Sequence, residues 1–125
     1  MKSSQIIGVV DDDPRIRLLL EEELEEIGYE VRSYADGFEF LKDVKASKQP
    51  DLLLLDLMLP QIDGIEVLKS AREEGYTAPI LIFTALSDNK KRLEAERYNA
   101  NDYLLKPDLF DNLERVISKH LPKDS

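Results

Sequence analysis

Five short apolar or β-branched runs alternate along the chain with five longer stretches in which apolar residues recur at helical spacing. The runs are Ile6 to Val10, Val31 to Tyr34, Leu52 to Leu55, Pro79 to Phe83 and Asp102 to Leu105. Each has strand length, and the stretches between them are long enough to carry the chain back to the same end of a sheet. The alternation predicts an α/β fold, a doubly wound parallel sheet with helices on both faces. Leu52-Leu53-Leu54-Leu55 offers no polar position to solvent, which places the third strand at the centre.

The first helix has a full start signal, with Asp13 as N-cap and Pro14 at the first helical position, and it ends near Gly28. Ile16, Leu20, Leu24 and Ile27 form its core stripe; Leu19 flanks the stripe and Leu18 lies off it. The glutamates at 21, 22, 23, 25 and 26 fill much of the remainder and read as a solvated face. Further helices are expected at Phe38 to Ala46, Gly64 to Glu74, Asp88 to Tyr98 and Leu109 to His120, with turns at Asp36-Gly37, Gln49-Pro50 and Asp63-Gly64.

A length of 125 residues is that of one domain, expected over 1–121 with 122–125 as a short tail. A hydrophobic content of 42% excludes general disorder. A net charge of -9 argues against contact with a nucleic-acid backbone, which requires a lysine- or arginine-rich face. The absence of cysteine excludes a disulfide framework, a thiolate nucleophile and a zinc-thiolate site. No apolar run approaches the roughly 20 residues that span a bilayer, and Met1 to Gln5 lacks a signal peptide's apolar stretch, so the expected location is cytoplasmic, away from the membrane.

In an open parallel sheet, ligands bind beyond the carboxyl ends of the strands. Here strand one runs into Asp11-Asp12-Asp13, strand three into Asp56, strand four into Thr84 and strand five into Lys106-Pro107. Strands one and three are expected to be neighbours, which gathers carboxylates that repel one another unless a cation compensates. Mg²⁺ suits such hard oxygen ligands and keeps positions for phosphate oxygens. With Lys106 and the Thr84 hydroxyl as donors on the other side, the set fits phosphoryl transfer, with Asp56 as the nucleophile that forms an aspartyl phosphate. Asp13 is assigned to the helix cap instead, and His120, the only histidine, has no catalytic role.

Four ordered motifs resemble response-regulator receiver domains: Val9 to Pro14; Leu54 to Pro60 with Asp63-Gly64; Phe83-Thr84-Ala85; and Asp102 to Pro107. The resemblance covers essentially the whole chain. It implies a flavodoxin-like fold of five strands in order 2-1-3-4-5 with five helices. It implies Asp56 as phosphoacceptor, and Mg²⁺ held directly by Asp12, through water by Asp11, and by Asp56 and the Met58 backbone carbonyl. Thr84, Ala85 and Lys106 are the implied phosphate-binding residues, Thr84 and Tyr103 the switch pair, and Lys106-Pro107 a cis peptide. Ile16, Leu18 and Pro107 are expected to meet the kinase. Two departures stand out: Asn99 and Asn101 flank Ala100 where Gly-Ala-Asp is more usual, and Asp108 follows Lys106-Pro107 where an apolar residue is common. Asn can supply the left-handed backbone of the missing glycine, and Asp108 is expected to cap the last helix.

The implied function is a phosphoacceptor switch or relay of a two-component system, catalysing only its own phosphorylation and slow dephosphorylation. Its partners are a histidine kinase or histidine phosphotransfer protein upstream and a protein target or output domain downstream; it is expected to be a monomer, with dimerisation on phosphorylation left open. Two alternatives stand beside it: an unphosphorylated binding adaptor, and a Mg²⁺-dependent phosphohydrolase working through an aspartyl phosphate. The hydrolase needs an acid/base carboxylate two residues after the nucleophile, and Met58 occupies that place.

Overall fold

In the computed structural model, which describes residues 5–85 and 87–121, each apolar run becomes a strand. The order is β1 (Ile6–Val10), α1 (Pro14–Ile27), β2 (Glu30–Tyr34), α2 (Gly37–Lys45), β3 (Leu52–Asp56), α3 (Gly64–Glu73), β4 (Ile80–Thr84), α4 (Asn89–Arg97), β5 (Asp102–Leu105), α5 (Lys106–Asp111) and α6 (Leu113–His120). The strands are all parallel, in the order β2-β1-β3-β4-β5. This is the expected doubly wound, flavodoxin-like sheet, with β3 at its centre.

The Leu52 to Leu55 run divides between two cores. Leu53 and Leu55 pack with Phe40, Val67 and Leu68 beneath α2 and α3, while Leu52 and Leu54 pack with Leu20, Leu24 and Ile117 beneath α1 and α6. Along α1, Leu20 and Leu24 are fully buried, Ile16 and Ile27 pack half-buried beside them, and Leu18 and Leu19 are exposed. The stripe read from the sequence is therefore the one that faces the sheet. Gly28 ends the helix in the left-handed region at φ 116°, its N–H donating to the Leu24 and Glu25 carbonyls.

Two boundaries differ from expectation in a way that bears on the site. β3 and β4 each run one residue further, so Asp56 and Thr84 are the last residues of strands and not the first of loops; Asp56 lies in register with Phe83, and Thr84 with Leu105. The final helical stretch starts directly at Lys106, not at Leu109, and leaves helical geometry at Asn112 (φ -130°, ψ 21°), so it comes as two segments. Asp108 accordingly lies inside α5 and not at its cap; its side chain is outside the described residues.

Asn99 takes the left-handed conformation at φ 68° in the α4–β5 turn, the role a glycine would fill. Beyond it lies a hub with no sequence signal. Arg72 donates to the carbonyls of Tyr76 (2.7 Å), Ala78 (2.8 Å) and Asn99 (2.9 Å) and to Asn101 Oδ1 (3.0 Å). Asn101 Oδ1 also accepts the Ile80 N–H at 3.0 Å. The end of α3, the start of β4 and the α4–β5 turn are thereby joined at the amino-terminal edge of the sheet.

Candidate functional site

The opposite edge carries the polar residues. β1 and β3 are neighbours with Val10 paired to Leu55, so Asp11 emerges beside Asp56. Asp11, Asp12 and Asp56 each place a carboxylate oxygen within 4.8 Å of the other two. Asp11 is fully buried and Asp56 almost so, while Asp12 is exposed and opens the cluster to solvent. Thr84 is fully buried. From the end of β5, Lys106 brings its Nζ to 3.2 Å from Asp11 Oδ2 and 3.3 Å from Asp56 Oδ2, passing over the Phe83 ring at 5.5 Å from its centroid.

Local hydrogen bonds sort the acidic triplet. Asp11 Oδ1 accepts the Asp13 N–H at 2.9 Å. Asp13 turns away to cap α1, accepting the Arg15 N–H at 2.9 Å; side-chain hydrogen bonding from Arg15 holds its carboxyl below the usual range. Asp56 Oδ1 accepts the Met58 N–H at 3.2 Å. Behind Asp56, the start of α3 approaches so closely that a Cβ on Gly64 would stand 2.5 Å from the Asp56 carbonyl oxygen. No side chain fits there, which explains the glycine of Asp63-Gly64 beyond its turn propensity.

Burial pushes the Asp56 carboxyl up; the Met58 N–H and the Lys106 charge pull it back in part, and the Asp11 charge raises it again. Burial alone would lower Lys106, but the charges of Asp56 and Asp11 outweigh it and hold the ammonium up. Asp11 Oδ2 is buried without a hydrogen bond, although Lys106 stands within ionic range. A buried carboxylate oxygen with unused lone pairs, beside two further carboxylates and with one exposed member, is compatible with Mg²⁺ binding: all donors are hard oxygens, and solvent can fill the remaining positions.

The other expected site residues fall as follows. Met58 follows β3 with an exposed side chain, and Ala85 is exposed beside Thr84. Tyr103 is half-buried on β5, in register with Ile82, and burial raises its phenol. A cavity of about 230 Å³ lies between it and the start of α4, lined also by Asp88, Arg92 and Leu105. Leu18 is exposed and Ile16 half-buried; the Pro107 side chain is outside the described residues. The expected cis Lys106-Pro107 peptide falls on Pro107 and lies outside the described residues. The chain is helical from Lys106 onward, and proline is tolerated in a first helical turn, where its missing N–H would have had no partner. His120 pairs with Asp102 at 3.0 Å, tying α6 to β5.

A family model described as the response regulator receiver domain matches residues 7–118. The chain belongs to this family. The receiver is 44% identical over 101 residues to the alkaline phosphatase synthesis transcriptional regulatory protein PhoP of Bacillus subtilis, covering 81% of the chain and 42% of that protein. It is 38% identical over 123 residues to the response regulator MprA of Mycobacterium bovis, covering 95% and 53% respectively. It thus spans about half the length of these curated relatives. Among solved structures it resembles the response regulator protein TrrA of Thermotoga maritima in complex with Mg²⁺ and BeF, at 39% identity and a TM-score of 0.83, covering 94% of this chain and 99% of that one. Membership carries the family's role, a phosphoacceptor switch in two-component signalling. Among the described residues no helix is long and apolar enough to cross a membrane.

Proposed function

We propose that Asp56 of this receiver accepts a phosphoryl group from the phosphohistidine of a histidine kinase or phosphotransfer protein, in the cytoplasm. The observation that carries the reading is the convergence on one nearly buried carboxylate, at the end of the central strand, of two further carboxylates and one ammonium. An Asp56 oxygen forms the new P–O bond as the donor's P–N bond breaks, and that bond's electron pair stays on the imidazole nitrogen. Asp11, Asp12, Asp56 and the Met58 backbone carbonyl are the residues to hold Mg²⁺, which when bound offsets negative charge on carboxylates and phosphoryl oxygens. Lys106 shifts from its carboxylate partners to a phosphoryl oxygen, and the Thr84 hydroxyl and the Ala85 N–H donate to others. Met58, an exposed thioether two residues after Asp56, supplies no acid or base for rapid hydrolysis, so the phosphorylated form persists as a signal.

Acetyl phosphate should label Asp56 in the presence of Mg²⁺, read by mass spectrometry. Equal labelling of Asp56→Asn, or full labelling in excess EDTA, would defeat the assignment.

Output follows from Thr84 turning toward the phosphoryl group and Tyr103 moving inward behind β4, which alters the face formed by α4, β5, α5 and α6. Beryllofluoride should then shift amide signals from Thr84 to Tyr103 and onward into α6, far more than those of α2. On the input side, Leu18 and Ile16 of α1, with Pro107, form the contact with the kinase. Leu18→Arg should slow transfer from the kinase and leave acetyl phosphate labelling intact.

A further inference from the structure

Arg17 lies four residues beyond the Asp13 cap, in the first turns of α1. Helical side chains lean toward the helix N-terminus, so its guanidinium is carried back over the β1–α1 loop. There Nη1 donates to the main-chain carbonyl of Asp11 at 2.6 Å. Asp11 is the fully buried member of the carboxylate cluster, and its N–H and Oδ1 are hydrogen-bonded as well. Its N–H donates to the Tyr34 carbonyl at 3.2 Å, Oδ1 accepts the Asp13 N–H at 2.9 Å, and Oδ2 faces Lys106 at 3.2 Å. The Arg17 bond is a charge-assisted one made by a side chain onto the main chain of this loop, the stronger class of hydrogen bond. Among the described residues no ion pair commits Arg17 to a carboxylate, so its charge is available to the Asp11 carbonyl.

α1 does not depend on this contact. Its start is capped by Asp13 and its face is anchored by Leu20 and Leu24. What the bond fixes is the loop: with the Asp11 carbonyl tied to α1 and its N–H tied to β2, the peptide joining Asp11 to Asp12 has a set orientation. Both carboxylates project from that peptide toward Asp56.

We propose that Arg17 is a positioning residue for the metal site, holding the β1–α1 loop so that Asp11 and Asp12 present their carboxylates together with Asp56. The inference rests on the reading of these three residues as Mg²⁺ ligands, and the test separates the two.

The 125-residue protein is titrated with Mg²⁺ and followed by amide NMR shifts of residues 10–13 and 56–58. Arg17→Ala should weaken the Mg²⁺ Kd by roughly tenfold, the low end of what is lost when a group that orients metal ligands is removed. Arg17→Lys keeps a cation and a donor without the planar fork and should fall between the two. In acetyl phosphate labelling, the Mg²⁺ concentration for half-maximal rate should rise by the same factor, while the rate at saturating Mg²⁺ returns to near the parent value. Arg115→Ala, which removes an arginine bonded to Asn112 on α6, should leave the Kd unchanged. A lower Tm for Arg17→Ala with an unaltered Mg²⁺ Kd overturns the proposal, since a merely structural arginine gives that result. If the parent protein itself shows no Mg²⁺ response at these amides, the metal reading falls and the proposal falls with it. Should Arg17→Ala not fold, Arg17→Gln and Arg17→Lys report the same Kd and decide the matter.

Discussion

Lys106 reaches from the end of β5 over β4 to Asp56 at the end of β3, its Nζ 3.3 Å from Asp56 Oδ2 and 3.2 Å from Asp11 Oδ2. A single ammonium therefore offsets two carboxylates, both nearly or fully buried. Removing it leaves that pair of charges facing each other in a poorly solvated pocket. Lys106→Met should destabilise the metal-free protein by roughly 1–3 kcal/mol in low salt, and millimolar Mg²⁺ should restore much of the loss by taking over as counter-charge. Thermal unfolding with and without Mg²⁺ measures both; an equal loss in the two conditions would mean that the lysine acts by packing.

Burial raises Asp56 above the ordinary aspartate value of 3.8, with the Met58 N–H and Lys106 opposing and Asp11 reinforcing the shift. The folded protein holds this proton at pH values where the unfolded chain has released it. The stability contributed is thus full below 3.8 and is lost as pH rises through the folded-state value, so an ionised Asp56 is a cost at neutral pH. Asp56→Asn should stabilise the metal-free protein by about 1–2 kcal/mol at pH 7 and change it little in acid, as read by urea unfolding at both pH values. A gain that is the same at both would contradict the assignment of the cost to this carboxylate's charge.

A Cβ on Gly64 would meet the Asp56 carbonyl oxygen at 2.5 Å and the Leu57 Cα at 2.6 Å. Backbone atoms cannot swing aside as a side chain can, so Gly64→Ala must displace either the start of α3 or the end of β3. It should cost about 1–3 kcal/mol and slow acetyl phosphate labelling of Asp56. Gly75 gives the comparison: its φ is 92°, but a Cβ there meets nothing within 4 Å. Gly75→Ala should cost about 1–2 kcal/mol through backbone strain while leaving labelling unaffected. Matching labelling rates for the two variants would refute the close-approach argument.

Asn101 Oδ1 already accepts from Arg72 Nη2 and the Ile80 N–H, each at 3.0 Å. Asn101→Asp keeps an acceptor in that place and adds a charge opposite a guanidinium otherwise bonded to carbonyls. The variant should gain about 1 kcal/mol at neutral pH, and lose the gain on acidification through the carboxylate range or in high salt. Chemical denaturation across pH and salt tests this; a destabilised variant at neutral pH would show that the hub requires the amide.

Most of the architecture was legible because its signals are local. Asp13-Pro14 marks a helix start, the four-leucine run marks a strand buried on both faces, and a parallel sheet directs attention to the residues after each strand. The cluster of Asp11, Asp12, Asp56 and Lys106 is legible in that way, as is Thr84, buried at the end of the neighbouring strand. The start of α5 was misread because Lys106-Pro107-Asp108 looks like a loop, whereas proline also suits a first helical turn. The Arg72 hub was not legible, since its acceptors are mostly backbone carbonyls and every carbonyl looks alike in a sequence. Arg17 left a fainter trace: a cation one turn into a helix leans back toward the loop before it, but which atom it meets depends on the path of that loop. The closeness of Gly64 to Asp56 was hidden for the same reason, as Asp63-Gly64 already makes sense as a turn.

β3 and β4 are buried at every position, so exposing either strand to water costs nearly as much as unfolding the domain, and such events are rare. Asp56 and Thr84, as their last residues, inherit that long lifetime. Lys106 instead opens a six-residue helix that ends before Asn112, and its partners are reached through a long, rotatable side chain. The site therefore divides in time: the backbone that carries Asp56 and Thr84 keeps its place over the slow clock of strand opening, while the side chains around it, the Lys106 ammonium first, exchange partners on the fast clock of rotamer change. A group arriving at the site is then met by side-chain rearrangement alone, with the strands left in place.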